Sequence, residues 1–171
     1  MQQIELLVNL KIPDVTALTA TGALRRRMGY AESLKSLTRA DYYRFEFDAD
    51  SEEQAFALAG ELAEKTNVFV NPNKHVFELR PSSRDPKQSD DGNQYVQVLI
   101  TDPTDGSAEG ALSALQGRLG FGDAVQGLLK GVIWTLEFAT DSREKALELA
   151  RNVAVTETRE KGLLMNPHFQ E

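Results

Sequence analysis

Apolar residues recur at helical spacing early in the chain, where Ala17, Thr21, Leu24 and Met28 line one face of a 3.6-residue period. The spacing predicts a helix that buries this face. It should stop at Gly29, because a residue free to take positive φ is the usual way to end a helix. Tyr30 can then fold back onto the core. Upstream, Met1-Gln2-Gln3-Ile4-Glu5 opens directly into a strand pattern. Strict alternation follows the helix: Tyr43, Phe45 and Phe47 face one way, Arg44, Glu46 and Asp48 the other. Period two of this kind predicts a strand in an antiparallel sheet whose helices cover one face. A second helix is expected after Asp50, with Glu53 three places on to complete a variant capping box and Ala55, Leu58, Ala59 and Leu62 as its buried face. Asn71-Pro72 cannot continue a helix and marks a turn into a short strand, His75 to Leu79.

The same pattern occurs twice. Shifting the chain by 91 places sets Gly29-Tyr30 on Gly120-Phe121, sets Tyr43, Phe45 and Phe47 on Trp134, Leu136 and Phe138, and sets Asp50-Ser51 on Asp141-Ser142. Ala108, Leu112, Leu115 and Leu119 repeat the first helix; Ala146, Leu149, Ala150 and Val153 repeat the second, behind Asp141 and Glu144. Four extra residues then carry the Asn-Pro pair to Asn166-Pro167. Between the copies, residues 81–93 hold no large apolar side chain and read as a linker long enough to let the copies pack side by side. The chain therefore divides into a first repeat (1–80), a polar linker (81–93) and a second repeat (94–171).

Composition narrows the function. Of 171 residues, 41% are hydrophobic and 26% charged, as in soluble globular chains. A unit of about 80 residues buries a modest fraction of its surface and gains from association. The net charge of −7 argues against nucleic acid, since no positive field offsets phosphate repulsion. The one basic run, Arg25-Arg26-Arg27, reads as a solvated helix end. With no cysteine there is no disulfide, thiolate metal site or cysteine nucleophile. The start lacks a secretion signal and no stretch approaches a bilayer span, so a soluble cytoplasmic protein away from membranes is expected.

Chemistry-bearing motifs are missing: no glycine-rich phosphate loop, HExxH pair or GxSxG elbow. His75 and His168 read as surface residues after the Asn-Pro turns. Asp48, Asp50, Asp90 and Asp91 read as solvated charge, and Asp102-Pro103-Thr104-Asp105-Gly106 as a turn that starts a helix. No catalytic, cofactor-binding or metal-binding residue is assigned.

In the second copy, Asp102-Pro103, Gly106, Ala111-Leu112, Leu119-Gly120-Phe121, Lys130-Gly131, Leu136-Glu137-Phe138 and Asn166-Pro167 succeed one another as turn, helix, Leu-Gly-Phe stop, Gly-led strand and terminal Asn-Pro. The first copy keeps Met28-Gly29-Tyr30, Phe45-Glu46-Phe47 and Asn71-Pro72, but has Ala40 in place of Gly131 and Ile12-Pro13 in place of the Asp-Pro turn. In this succession each copy resembles the PurS subunit of phosphoribosylformylglycinamidine (FGAM) synthase.

The resemblance implies an α+β fold of two PurS-like βαβαβ units in tandem, antiparallel sheets with helices on one face, packed as an intrachain pseudo-dimer. It implies a non-catalytic ligase subunit of de novo purine biosynthesis that bridges a glutaminase subunit and an ATP-dependent synthetase subunit and assists ammonia transfer. The chain itself would bind no cofactor; ATP, Mg and glutamine would be used by the partners. Candidate partner contacts are Asn71, Pro72, Lys130, Gly131, Asn166 and Pro167, and self-association is a further expectation. The alternative is a stand-alone regulatory or small-metabolite-binding α+β module.

Overall fold

The computed structural model describes residues 1–82, 92–157 and 162–171. The fold is mixed α+β. In chain order the described elements are β1 (Gln2–Leu10), α1 (Val15–Arg27), β2 (Leu34–Phe47), α2 (Glu52–Lys65), β3 (His75–Pro81), β4 (Gln94–Ile100), α3 (Ser107–Gln116), a single 3-10 turn (Gly122–Ala124), β5 (Val125–Phe138) and α4 (Arg143–Ala154). The strands form one five-stranded antiparallel sheet in the order β3-β1-β2-β5-β4. In β1, Gln2 to Val8 pair with Phe47 to Asp41 on one side, and Ile4 to Leu10 with Pro81 to His75 on the other. In β4, Gln94 to Ile100 pair with Phe138 to Val132.

Local signals explain the helix boundaries. The Asp14 carboxylate caps α1 by accepting from the amides of Thr16 and Ala17, at 2.8 and 3.2 Å. Gly29 and Gly120 take φ of 83° and 80°. The amide after each glycine returns to the carbonyl six residues back, Tyr30 to Leu24 and Phe121 to Leu115. The stop at Gly29 thus stands as the sequence predicts, whereas α3 ends early, at Gln116, because Gly117 caps it with its amide on the Ser113 carbonyl, and Gly120 only turns the chain beyond it. The second helices begin one residue later than expected: Ser51 and Ser142 are the caps, their hydroxyls accepting from Gln54 and Lys145. Their extended backbone aims the short hydroxyl at the free amides of the first turn. Gln54, rather than Glu53, returns its side chain to the amide of Asp50.

The chain packs as two compact units, and neither is a contiguous repeat. One unit contains β1, β2 from Ala40 onward, α2, β3, α3 and β5 as far as Gly131. Its core is built from Ile4, Leu6 and Val8 of β1, Phe45 and Phe47 of β2, Ala55, Ala59 and Leu62 of α2, and Leu115 of α3. The Phe45 ring lies 5.2 Å from Phe69 and 5.8 Å from Phe47. These strand residues share one pleat face, so α2 and α3 cover the same side of the sheet. The other unit contains α1, β2 up to Arg39, β4, β5 from Val132 and α4. Ala17, Ala20 and Leu24 of α1 and Ala146, Ala150 and Val153 of α4 cover Val96 and Ile100 of β4 and Trp134, Leu136 and Phe138 of β5.

The first helix of each repeat therefore completes the core that contains the other repeat's second helix. β2 and β5, 14 residues each, run from one core into the other, and α1 and α3 follow the early half of the strand they precede. Of the linker, only Pro81, Ser82, Gly92 and Asn93 lie within the described residues. Pro81 ends β3 opposite Ile4, and the Ser82 amide reaches the Gln3 carbonyl. The third strand expected in the second repeat does not form a named strand among the described residues. After the Asn166 turn only Glu171 pairs with Thr101, through two backbone bonds, and one pair is too short for a strand.

Candidate functional site

The two Asn-Pro turns are built alike. In the first, the Asn71 side-chain carbonyl accepts from the Asn73 amide, the Asn71 backbone carbonyl accepts from Lys74 and His75, and the Asn71 amide donates to His75 Nδ1. In the second, Asn166 accepts from His168 through its side chain and from Phe169 and Gln170 through its backbone, and its amide donates to Gln170 Oε1. An asparagine that bonds its own backbone two residues on fixes the turn, and the proline behind it restricts φ. Asn71, Pro72, Asn166 and Pro167 are all exposed. Lys11 Nζ donates to the Pro72 carbonyl at 2.6 Å, anchoring the first turn to the end of β1. Beside that turn lies a hollow of about 400 Å³ lined by Lys11, Glu64, Pro72, His75 and Phe77. His75 holds its Nδ1 as an acceptor, leaving Nε2 as the side that can carry a proton.

Lys130 and Gly131 lie in β5. Lys130 Nζ donates to Ser107 Oγ at 2.7 Å and pairs with Asp105 at 3.1 Å. The ammonium is thereby held at the start of α3, two-fifths exposed. Asp105 accepts from the Ser107 hydroxyl and amide and from Lys130, which together hold its carboxyl down at about 2. Because the folded value lies below the ordinary one, the ionised group favours the folded state above about pH 4. That preference is lost as pH falls through about 2. In an NMR titration Asp105 should show a midpoint near 2. Ser107→Ala and Lys130→Ala should each move it upward. No hydrogen bond or ion pair among the described residues joins Lys130 to the Asn71 turn.

Two polar networks escaped the sequence reading, and both lie on the sheet face opposite the helices. Glu5, 8% exposed, accepts from the Tyr42 hydroxyl at 2.8 Å and from Ser82, and pairs with Arg80. Burial and the hydrogen bond to Glu5 push the Tyr42 phenol well up. Glu137 accepts from the Ser36 hydroxyl at 2.7 Å and from Asn93 at 2.9 Å, which lowers its carboxyl, the Ser36 bond being the largest cause. The only trace of the first network in the sequence is a lone acid in the apolar run Ile4 to Val8.

Among the described residues, no three metal-ligating side chains come together, and no helix is long and apolar enough to cross a membrane. The arrangement is one of fixed, exposed turns and satisfied polar networks. No family model matches the chain, and no curated protein or solved structure matches it.

Proposed function

We propose that this chain is a non-catalytic assembly subunit of FGAM synthase in purine biosynthesis, its two repeats packed as an intrachain pseudo-dimer of PurS-like units. On this reading it bridges a glutaminase subunit and an ATP-dependent synthetase subunit and assists the passage of ammonia between them. The observation that carries the proposal is the repetition of the Asn-Pro turn, bond for bond, in both halves. A surface turn already fixed by its own hydrogen bonds loses little conformational entropy when a partner docks on it. Having two such turns in one chain raises the effective concentration of the second contact once the first is made. Lys130, held by Asp105 and Ser107, presents an oriented cation on an acidic chain.

A pull-down from native extract, with and without ATP and glutamine, tests this. Recovery of a glutaminase and a synthetase subunit is expected, with recovery reduced by Lys130→Glu. A protein that emerges alone under both conditions would sink the proposal and favour the stand-alone metabolite-binding module, with the hollow beside His75 as the first place to look for a ligand.

A further inference from the structure

The hollow beside the first Asn-Pro turn lies within one compact unit, on the side of the sheet that α2 covers. Every second residue of β3 faces that side: Leu79 packs into the core, and Phe77 and His75 continue the row to the last turn of α2, where the hollow opens. Buried Ala63 and Val70 form its floor, and Phe77, 36% exposed, stands as an apolar wall. Lys11, Glu64 and His75 supply its ionisable groups. The Lys11 ammonium has three donors and uses one on the Pro72 carbonyl. The Glu64 carboxylate makes no hydrogen bond or ion pair among the described residues. Comparison with the second turn shows what the imidazole adds. There Gln170 stands in place of His75, and its side-chain oxygen accepts from the Asn166 amide as His75 Nδ1 accepts from Asn71. The turn needs an acceptor at this position and not an imidazole. With Nδ1 accepting, the neutral ring carries its proton on Nε2, a donor for which the turn has no use. Lys11 is likewise particular to the first turn, since Asp102 stands 91 places further on.

We propose that this hollow binds a free α-amino acid with a large apolar side chain. The ligand carboxylate takes the remaining Lys11 donors and the His75 Nε2 proton, its ammonium pairs with Glu64, and its side chain lies against Phe77 and Val70. The end of α2 favours the same orientation, because the free carbonyls of a helix C-terminus attract a cation. Charge decides the ligand class. A simple carboxylate would meet Glu64 as well as Lys11, and a simple amine would meet Lys11 as well as Glu64. A phosphate would set two negative charges against one lysine with an acid beside it. Only a ligand that carries one charge of each sign satisfies both side chains. A volume of about 400 Å³ stands near the small end of ligand sites and suits an amino acid better than a nucleotide. The hollow is formed by this chain alone, so binding does not depend on partner subunits.

An NMR titration of the full chain with L-leucine and with L-phenylalanine measures this directly. Saturable shifts at the amides of Val70, Asn71 and His75 are expected, with a dissociation constant of about 1 mM or below. N-acetyl-L-leucine, which lacks the ammonium, and isoamylamine, which lacks the carboxylate, should each bind about tenfold more weakly. Glu64→Gln changes an exposed, unpaired acid and should remove the preference for leucine over its N-acetyl form. His75→Asn keeps an acceptor at the place of Nδ1 and removes Nε2, so it should weaken leucine binding about tenfold while leaving the urea midpoint unchanged. Shifts that do not saturate with either amino acid up to roughly 10 mM overturn the proposal, and so does binding that neither Glu64→Gln nor His75→Asn weakens.

Discussion

Leu24→Ala should cost about 3 kcal/mol of folding stability, read as a fall in the urea midpoint, and its effect should appear in the half of the chain that does not contain it. Leu24 is fully buried, and truncating such a leucine loses both its transfer free energy and the packing around the cavity left behind. The core that Leu24 belongs to holds Leu34 and Leu37 of its own repeat, but its larger part, Val96, Trp134, Leu136, Phe138, Ala146 and Val153, comes from the second. Native-state hydrogen exchange should therefore lose protection in β4 and α4 before β1 and α2. Leu115→Ala is the reciprocal case. Leu115 is fully buried in α3, yet it packs with Ile4, Leu6, Phe45 and Leu62 of the first repeat. Its replacement should open β1 and α2 first. If each variant instead loosened its own repeat, the exchange of first helices would be wrong.

Glu5→Ala should destabilise by about 3 kcal/mol, even though it changes one residue on the sheet face away from the helices. Arg80, whose side chain is 13% exposed, would be left as a nearly buried cation, and Tyr42 and Ser82 would lose their acceptor. Removing one partner of a buried ion pair is far more costly than removing both. The double replacement Glu5→Met with Arg80→Met should recover the part of the loss due to the stranded cation, though not that of Tyr42 and Ser82, and a double-mutant cycle by urea denaturation with Glu5→Met and Arg80→Met as the single variants measures the coupling. Single losses that simply add up to the loss in the double variant would show that the pair contributes nothing.

Much of this architecture is legible in the chain because it rests on local rules. The glycine stop at 29, the alternation through Phe45 and Leu136 and the Asn-Pro turns are each set by side chains within a few residues of one another; α3, the first helix of the second repeat, ends at Gly117 instead of Gly120, because either glycine can close it. The repeat made each of these readings twice. The helix starts were displaced by one residue because aspartate and serine stand side by side at both positions, and only the backbone angle decides which side chain reaches the free amides. Tyr42 was hidden for a related reason: alternation assigns it to the wet face, where it is nonetheless 2% exposed, because Glu5, Ser82 and Arg80 gather there from two other strands.

The candidate contacts divide in the same manner. Asn71-Pro72 and Asn166-Pro167 are readable as turns, since proline and asparagine act on their own backbone. That Lys130 is held by Asp105 and Ser107, 25 and 23 positions upstream, depends on how the start of α3 is placed against β5. The sequence by itself determined the repeated pattern, most of the elements and their order, and the face the helices bury, because hydrophobic periodicity and turn chemistry act over a few residues; it did not show that a third strand is missing among the described residues of the second repeat, nor that Tyr42 is buried. Only the tertiary structure decided which core each first helix enters and which acid is buried with which base. Those outcomes depend on contacts between segments far apart in the chain, and a periodic pattern specifies that a face must be covered without specifying what covers it.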